Sequence, residues 1–178
     1  MDLEKVLRHV ADFPKEGIDF IDITTVLQDP VAFRAAIDRM TELVANVDFD
    51  IVVGAESRGF IIGAPLAYAT GRGFVPIRKQ GKLPYETVST RYTLEYGTDV
   101  LEMHRDAVHP GDRVLIVDDL LATGGTTLAA ARLATQLGGI VTGAAFLIEL
   151  RELKGRERLT DYPVFTVLSV GGNTEASN

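Results

Sequence analysis

The chain has 178 residues, and its 18 Lys and Arg residues against 25 Asp and Glu residues give a formal net charge of −7 at pH 7. This length fits one domain, and a content of 46% apolar and 24% charged residues is typical of a globular protein and excludes a predominantly disordered one. The acidic balance argues against nonspecific binding to nucleic acid or to a membrane surface. The absence of cysteine excludes disulfides, a thiol nucleophile and cysteine-ligated metals.

Two features of the sequence bear on where the protein resides. The first residues are charged and include no apolar core, so they do not resemble a secretory signal. The longest uncharged stretch, residues 133–148, is shorter than the roughly 20 apolar residues that a membrane-spanning helix needs. We therefore expect no membrane span and a cytoplasmic location.

The first 50 residues contain two helical patterns. Apolar residues recur at helical spacing over residues 3–10 and predict a short amphipathic helix, which ends in residues 13–17. A loop over residues 18–23 is expected to follow. Asp29 and Pro30 predict the start of a second helix, because a capping carboxylate followed by proline at the first helical position favours helix initiation.

From residue 50 onward, predicted strands alternate with predicted helices. Strands are expected at 50–54, 73–78, 113–117, 140–148 and 164–168, helices at 57–70 and 124–137, a long loop at 79–90, a hairpin at 91–96 and 99–103 around Gly97 and Thr98, and a frayed end at 171–178. Pro76 argues against a central ladder position for its strand. This alternation predicts an α/β fold with a mostly parallel twisted sheet flanked by helices. Sheets of this kind bind ligands at the carboxyl ends of their strands.

The most informative motif is residues 114–127, VLIVDDLLATGGTT. Four apolar residues lead into Asp118 and Asp119, and a loop then reaches Thr123-Gly124-Gly125-Thr126 at the start of a helix. Glycines allow backbone N–H groups to turn inward, and the helix N-terminus adds a partial positive charge, so this loop predicts a phosphate site. The two carboxylates can accept hydrogen bonds from a sugar diol or attract Mg²⁺. A phosphate site beside a diol site is what a 5-phosphoribosyl group requires.

The residues argue against several other classes of site for these motifs. A nucleotide-triphosphatase loop needs a lysine that is absent here, and no dinucleotide fingerprint occurs. The spacing from Gly54 through Ser57 to Gly59 is one residue too long for a hydrolase elbow. A plain strand–turn–helix corner capped by threonines remains the structural alternative for residues 114–127.

A second anion site is predicted where residues 57–59 follow a buried strand and begin a helix. Arg58 there can form two hydrogen bonds to phosphate oxygens at once. Arg78, Lys79 and Lys82 are cations in a chain of net negative charge, and they begin a loop long enough for a lid or a binding loop. Together these residues favour capture of pyrophosphate.

Four ordered motifs resemble the type I phosphoribosyltransferase family. They are residues 114–127, VGAESRGF at 53–60, IRKQGKLP at 77–84 and LEYG at 94–97. With residues 13–15 and 22–24, they resemble the adenine-using branch of that family most closely. The resemblance implies the type I phosphoribosyltransferase fold in a single domain over residues 1–178. It also implies a small N-terminal base-binding hood at 1–30 and a mobile hairpin lid at 79–98.

The resemblance implies a role for each matching residue. The 5′-phosphate is expected to bind Ala122, Thr123, Gly124, Gly125 and Thr126. The pyrophosphate is expected to bind Glu56, Ser57, Arg58 and Gly59, in a loop with an unusual cis peptide, and Arg78, Lys79 and Lys82, partly across a dimer interface. The expected catalytic residues are Arg58, Glu95, Asp118 and Asp119, of which the two aspartates hold the ribose hydroxyls. The base is expected to bind Asp19, Phe20, Ile21 and Leu120, and Tyr96 is expected on the lid.

The implied reaction is transfer of 5-phosphoribose from phosphoribosyl pyrophosphate to adenine, which yields AMP and pyrophosphate in purine salvage. Mg²⁺ is expected to arrive with the pyrophosphate group rather than in a metal site of the protein. A homodimer is implied, with no nucleic-acid or membrane partner. The alternatives are transfer to guanine, hypoxanthine or xanthine, a non-catalytic sensor of the same sugar phosphate, and a phosphosugar-binding fold of another class.

The chain departs from the family pattern in its N-terminal loop. Glu16 stands where the family has proline, and Ile21 stands where it has arginine. Backbone groups near Asp19 and Ile21 are expected to read the edge of the base. Because backbone donors do not depend on the side chain, we expect Ile21 to cost little in base affinity.

Overall fold

The computed structural model describes residues 1–94 and 97–171. Within these residues the strands are β1 (Arg8–Ala11), β2 (Asp19–Asp22), β3 (Ile51–Ala55), β4 (Gly73–Lys79), β5 (Thr87–Leu94), β6 (Gly97–His104), β7 (Arg113–Leu121), β8 (Ile140–Leu150) and β9 (Val164–Val170). The α-helices are α1 (Thr24–Gln28), α2 (Pro30–Leu43), α3 (Arg58–Thr70) and α4 (Gly125–Gln136). Short 3₁₀ turns occupy Glu4–Val6, Arg151–Leu153 and Gly155–Arg158.

A seven-stranded sheet in the order β5-β6-β4-β3-β7-β8-β9 forms the centre of the fold. The strands from β4 through β3, β7 and β8 to β9 pair in parallel, whereas β5 and β6 are antiparallel at one edge. β4 pairs with β6 only at Arg78 and Lys79, so Pro76 has a ladder partner on the β3 side alone. The predicted α/β class and mostly parallel sheet are confirmed.

Helices cover both faces of the sheet. Val52 and Val53 are both fully buried but belong to different core clusters, because successive side chains of a strand point to opposite faces. The Val52 cluster includes residues of α2 and α3, and the Val53 cluster includes residues of α4. The side chain of Asp29 accepts hydrogen bonds from the N–H groups of Val31 and Ala32 at 2.8 and 3.0 Å, which confirms the predicted start of α2.

The predicted N-terminal helix and the following loop are both wrong. One 3₁₀ turn forms at Glu4–Val6, and then β1 and β2 pair antiparallel in a separate two-stranded sheet. Leu3 and Leu7 are buried, so the apolar spacing reflects two core anchors rather than a helix face. Four apolar positions were too short a pattern to outweigh the hydrogen bonds gained by pairing with β2.

The hairpin is confirmed, but its details differ from the prediction. The unpaired segment before it covers only residues 80–86, because β4 extends through Lys79 and β5 begins at Thr87. Gly97 pairs with Leu94 and Thr98 pairs with Thr93, so neither forms the turn. The turn residues 95 and 96 lie outside the described residues, as does the predicted frayed end beyond Gly171.

The strand that leads to the main motif is longer than predicted. β7 continues past Val117 to Leu121, because β8 extends beside it and pairs with Asp118 and Leu120. The two aspartates therefore lie within the strand and not in the following loop. Among the described residues, no helix is both long enough and apolar enough to cross a bilayer.

Candidate active site

The predicted phosphate loop connects β7 to α4. Its residues 122–127, together with Asp118, Leu120 and Leu121, surround a cavity of about 70 Å³. Gly124 has a φ of 80°, a left-handed conformation that favours glycine, and a Cβ there would lie 3.1 Å from the carbonyl oxygen of Gly155. The structure thus brings all five predicted phosphate-binding residues around one small cavity at a helix N-terminus, where backbone N–H groups and the helix dipole favour an anion.

Asp119 is buried, with 3% of its surface exposed. Arg58 Nε lies 3.0 Å from Asp119 Oδ2 and forms an ion pair with it. This contact is an ion pair without a hydrogen bond, so Asp119 Oδ2 has no hydrogen-bond donor among the described residues. Because burying an acceptor without a donor is costly, this oxygen is ready to accept a hydroxyl of a ligand.

Asp118 adjoins both the phosphate loop and α3. Its Oδ1 accepts a hydrogen bond from the backbone N–H of Asp119 at 2.9 Å. A Cβ on Gly59 would lie 3.1 Å from the same oxygen, so glycine allows α3 to begin against this side chain. Burial and the adjacent Asp119 charge raise the pKa of Asp118 well above its usual value. Ligand donors or a cation beside Asp118 would favour its charged form.

The predicted pyrophosphate loop contains a carboxylate surrounded by cations. Glu56 Oε2 accepts hydrogen bonds from Arg78 Nε and Nη2, each at 3.2 Å, and from Lys82 Nζ at 3.1 Å. Glu56 Oε1 accepts the backbone N–H of Lys79 at 2.7 Å. The Glu56–Ser57 peptide is cis, as the family resemblance predicted. Glu56 therefore binds two cationic side chains, Arg78 and Lys82, beside this loop.

The charge of Glu56 is maintained by these contacts. Burial by itself would raise its pKa, but the N–H of Lys79 and the side chains of Lys82 and Arg78 more than offset that effect, so the pKa of Glu56 is lowered. The site thus contains a fixed negative charge that orients Arg78 and Lys82.

Lys79 has a partner that the sequence analysis missed. Its Nζ lies 3.0 Å from Asp99 Oδ2, and hydrogen bonding to Asp99 raises the pKa of Lys79. Tyr92 lies directly across the β5–β6 ladder from Asp99, and burial followed by the Asp99 charge raises the pKa of its phenol. The hairpin register could have suggested the Tyr92–Asp99 pair, but nothing local in the sequence connects either residue to Lys79.

One cavity joins these groups. Its volume is about 230 Å³, and it is lined by residues 55–58, Lys79, Tyr92, Leu101, 118–120, Ala122 and Thr126. A larger depression of about 500 Å³ lies beside the β8–β9 edge, where Arg156 pairs with Glu149, and it includes no predicted site residue. The smaller cavity is the candidate active site, because it connects both predicted anion sites with the aspartates.

The four residues predicted to bind the base lie in two different surroundings. The Arg58 guanidinium carbon lies 5.9 Å from the centre of the Phe20 ring, and Phe13 packs edge-on against Phe20 at 5.1 Å. Leu120 lines both site cavities. Leu120 therefore lies in the candidate active site, and Phe20 lies beside it against Arg58.

The side chains of Asp19 and Ile21 do not face this site. Both line a different cavity of about 340 Å³, and Ile21 is only 5% exposed. Asp19 Oδ2 lies 2.7 Å from His9 Nδ1 on β1. The alternation of side chains along β2 explains the split, since Phe20 points to the face opposite its neighbours. Only the backbone of Asp19 and Ile21 remains a candidate for reading the base.

Three other points complete the site. Glu95 and Tyr96 lie outside the described residues. Among the residues that are described, no group of three or more His, Cys, Asp or Glu side chains could hold a metal ion. Arg158, which no sequence motif marks, also contacts the loop: its Nη1 donates to the carbonyl oxygen of Thr123 at 3.1 Å from a position 35 residues further along the chain.

Two predicted anion sites at the carboxyl ends of neighbouring parallel strands, with paired aspartates between them, suit a phosphoribosyltransferase, and residues 23–176 match the family model of the phosphoribosyl transferase domain. A curated relative, the adenine phosphoribosyltransferase of Acetivibrio thermocellus, is 63% identical over 94% of this chain and 99% of its own. The enzyme of the same name from Brachyspira hyodysenteriae is 57% identical over 92% of this chain and 96% of its own. The chain belongs to the adenine phosphoribosyltransferase family.

Solved structures agree with this assignment. The adenine phosphoribosyltransferase of Thermoanaerobacter pseudethanolicus superposes with a TM-score of 0.92 at 51% identity, over 95% of this chain and 98% of that one. The Saccharomyces cerevisiae enzyme, solved with an imino-altritol bisphosphate and adenine, superposes with a TM-score of 0.88 at 43% identity, over 94% of this chain and 97% of that one. The type I phosphoribosyltransferase fold predicted from the sequence is confirmed.

Proposed function

We propose that the protein transfers the 5-phosphoribosyl group of phosphoribosyl pyrophosphate to N9 of adenine, yielding AMP and pyrophosphate in purine salvage. The observation that carries this proposal is the single cavity joining the cis-peptide loop, the aspartates and the phosphate loop. The cis-peptide loop at one end of this cavity suits the pyrophosphate group of the substrate, and the phosphate loop at the other end suits its 5′-phosphate. The relatives named above support adenine as the base.

The proposed reaction breaks the bond between C1 of ribose and the pyrophosphate oxygen and forms a bond from C1 to N9 of adenine, which loses its proton. Positive charge builds on the ribose ring as the leaving group departs. Asp118 and Asp119 are placed to accept hydrogen bonds from the ribose hydroxyls and to stabilise that charge electrostatically. The unsatisfied Oδ2 of Asp119 supports this role.

Pyrophosphate is the leaving group and carries negative charge away from the ribose. Arg58 can form two hydrogen bonds to its oxygens, and Arg78 and Lys82 are held at the loop by Glu56. Lys79 lines the same cavity. We propose that Mg²⁺ enters as part of the pyrophosphate substrate and offsets further charge there, held by substrate oxygens and water.

The adenine ring is proposed to lie between Phe20 and Leu120, with backbone groups of β2 reading its edge. The buried Ile21 side chain supports this reading, because a residue that packs in the core leaves only its backbone for the base. The N-terminal segment 1–30 would then serve as the base-binding hood and the segment 79–98 as the lid, which excludes water from a ribosyl cation. The cytoplasmic location expected from the sequence stays a prediction.

The assay that tests this proposal supplies the protein with phosphoribosyl pyrophosphate, Mg²⁺ and one purine base at a time. We expect AMP from adenine, little or no nucleotide from guanine, hypoxanthine or xanthine, and loss of activity when Mg²⁺ is chelated. Preferential formation of another nucleotide would transfer the proposal to that base. Absence of any nucleotide, with retained binding of the sugar phosphate, would favour a sensor.

Glu95 is proposed to assist proton handling at adenine N7 or N9. Glu95→Ala should therefore lower turnover more than it lowers affinity for the ribose donor. Steady-state kinetics with each substrate varied measures both effects, and Glu86→Ala, at an exposed carboxylate preceding β5, serves as the matched control. An equal loss in turnover and donor affinity would indicate a binding role instead.

We propose a homodimer, and the surface of α3 supports it. Ile61 is 41% exposed and Tyr68 is 89% exposed on the same face of this apolar helix, which begins at Arg58. An apolar face continuous with the pyrophosphate loop suits contact with a second copy near the active site. Light scattering should give twice the chain mass of 19.3 kDa, and a monomer at working concentrations would contradict the proposal.

A further inference from the structure

The 3₁₀ turn Gly155–Arg158 packs against the phosphate loop at positions that do not line its cavity. Arg158 Nη1 donates to the carbonyl oxygen of Thr123 at 3.1 Å. Gly155 is buried, and a Cβ on it would lie only 2.2 Å from the carbonyl oxygen of Ala122. Neither Gly155 nor Arg158 lines the cavity of about 70 Å³ that the phosphate loop surrounds. The turn therefore contacts two successive carbonyls of the loop without lining the cavity.

Because the peptide bond is planar, these carbonyl contacts also determine where the following N–H groups of the loop point. In a trans peptide the C=O and the following N–H point in opposite directions, and the cis peptides of the described residues lie elsewhere. With the Ala122 carbonyl against Gly155, the N–H of Thr123 points away from the turn. With the Thr123 carbonyl bound to Arg158, the N–H of Gly124 does the same. Both N–H groups therefore point away from the turn.

The turn is itself firmly attached to the sheet. Arg156 binds both carboxylate oxygens of Glu149 on β8, at 3.0 and 2.6 Å, and donates to the carbonyl oxygen of Val164 on β9 at 2.8 Å. Leu159, which follows the turn, is 1% exposed, and its side chain would lie 3.5 Å from a Cβ on Gly124. Because the turn is anchored to two strands, it can act as a rigid support.

We propose that Gly155 and Arg158 are positioning residues for the 5′-phosphate site. They hold the Ala122 and Thr123 carbonyls outward, so that successive N–H groups face a phosphate monoester. The ligand class rests on the proposed function, which places the 5′-phosphate of the ribose donor in this loop. Neither residue touches the ligand, and both act through the loop backbone.

The direct test measures the affinity of ribose 5-phosphate by calorimetry, since this ligand probes the phosphate site without base or pyrophosphate. Arg158→Ala should weaken binding about three- to tenfold, the effect of one lost hydrogen bond. Arg158→Gln keeps a donor without the charge and should bind within about twofold of the unchanged protein. Gly155→Ala should weaken binding by more than about tenfold, because its Cβ must displace the loop backbone.

Steady-state kinetics distinguish a positioning role in the phosphate site from a general loss of structure. In both weakened variants the KM for phosphoribosyl pyrophosphate should rise, while the KM for adenine stays within about twofold. Arg132→Ala, at an exposed arginine of α4, is the matched control and should change neither. Thermal unfolding checks that each variant is folded, and if Gly155→Ala does not fold, the two Arg158 variants decide the question.

The possible outcomes distinguish this inference from the proposed function. Unchanged ribose 5-phosphate affinity in folded Arg158→Ala protein would overturn the inference and leave the function standing. Equal rises in both KM values, or Arg158→Gln binding as weakly as Arg158→Ala, would also overturn it. A protein that makes no AMP but shows the expected order of ribose 5-phosphate affinities would retain the inference and refute the function.

Discussion

Replacing both Asp118 and Asp119 with asparagine should lower the rate of AMP formation by about a thousandfold or more. Asparagine keeps the size and the hydrogen-bonding oxygen of each side chain but removes the negative charge that stabilises a cationic ribose. Both side chains line the cavity between the two anion sites, and one oxygen of Asp119 has no donor there. Steady-state AMP synthesis at saturating substrates measures the effect, and an unchanged rate would remove the aspartates from the mechanism.

The single variant Asp118→Asn tests the raised pKa of Asp118 through the stability of the protein. The pKa of Asp118 is raised in the folded protein, so its favourable contribution to stability is complete only at low pH and is lost as the pH rises through that raised value. Asparagine does not incur this loss, so the variant should have a higher melting temperature than the unchanged protein at neutral pH. The difference should shrink toward about pH 4. A lower melting temperature at neutral pH would contradict the reading of this pair.

Replacing Arg58 with alanine should lower kcat/KM about 100- to 1000-fold, the second-largest effect we expect. The change removes the guanidinium group that we expect to form two hydrogen bonds to pyrophosphate oxygens. It also leaves the buried Asp119 without its ion-pair partner at 3.0 Å and removes the cation beside the Phe20 ring. Arg58→Lys should recover only part of the loss, because an ammonium group cannot form the paired hydrogen bonds of a guanidinium.

The kinetics of pyrophosphate inhibition test the assignment of Arg58 most directly. The inhibition constant should rise in Arg58→Ala together with the fall in kcat/KM. Arg72→Ala, beyond the other end of α3 where the guanidinium lies over Phe49, is the matched control and should leave both values within about twofold. Wild-type inhibition by pyrophosphate in Arg58→Ala would exclude a direct contact with that group.

The main motif and the sheet could be predicted from the sequence because their signals are local. Buried parallel strands read as short apolar runs, and Asp29 with Pro30 marks a helix start through contacts only two or three residues away. Glycines and threonines at the start of α4 predict an anion site from backbone geometry alone. The order of these local signals was enough to predict the fold class and the placement of the phosphate loop.

The environment of each charge was decided only by the tertiary structure. Glu56 binds Arg78 and Lys82, and Asp99 binds Lys79, through register and strand order that no local pattern specifies. The local sequence predicts which residues could bind phosphate, because backbone conformation depends on near neighbours. The folded chain decided which cations are already paired and which oxygen of Asp119 stays without a donor, because ion pairs and burial depend on residues distant in sequence.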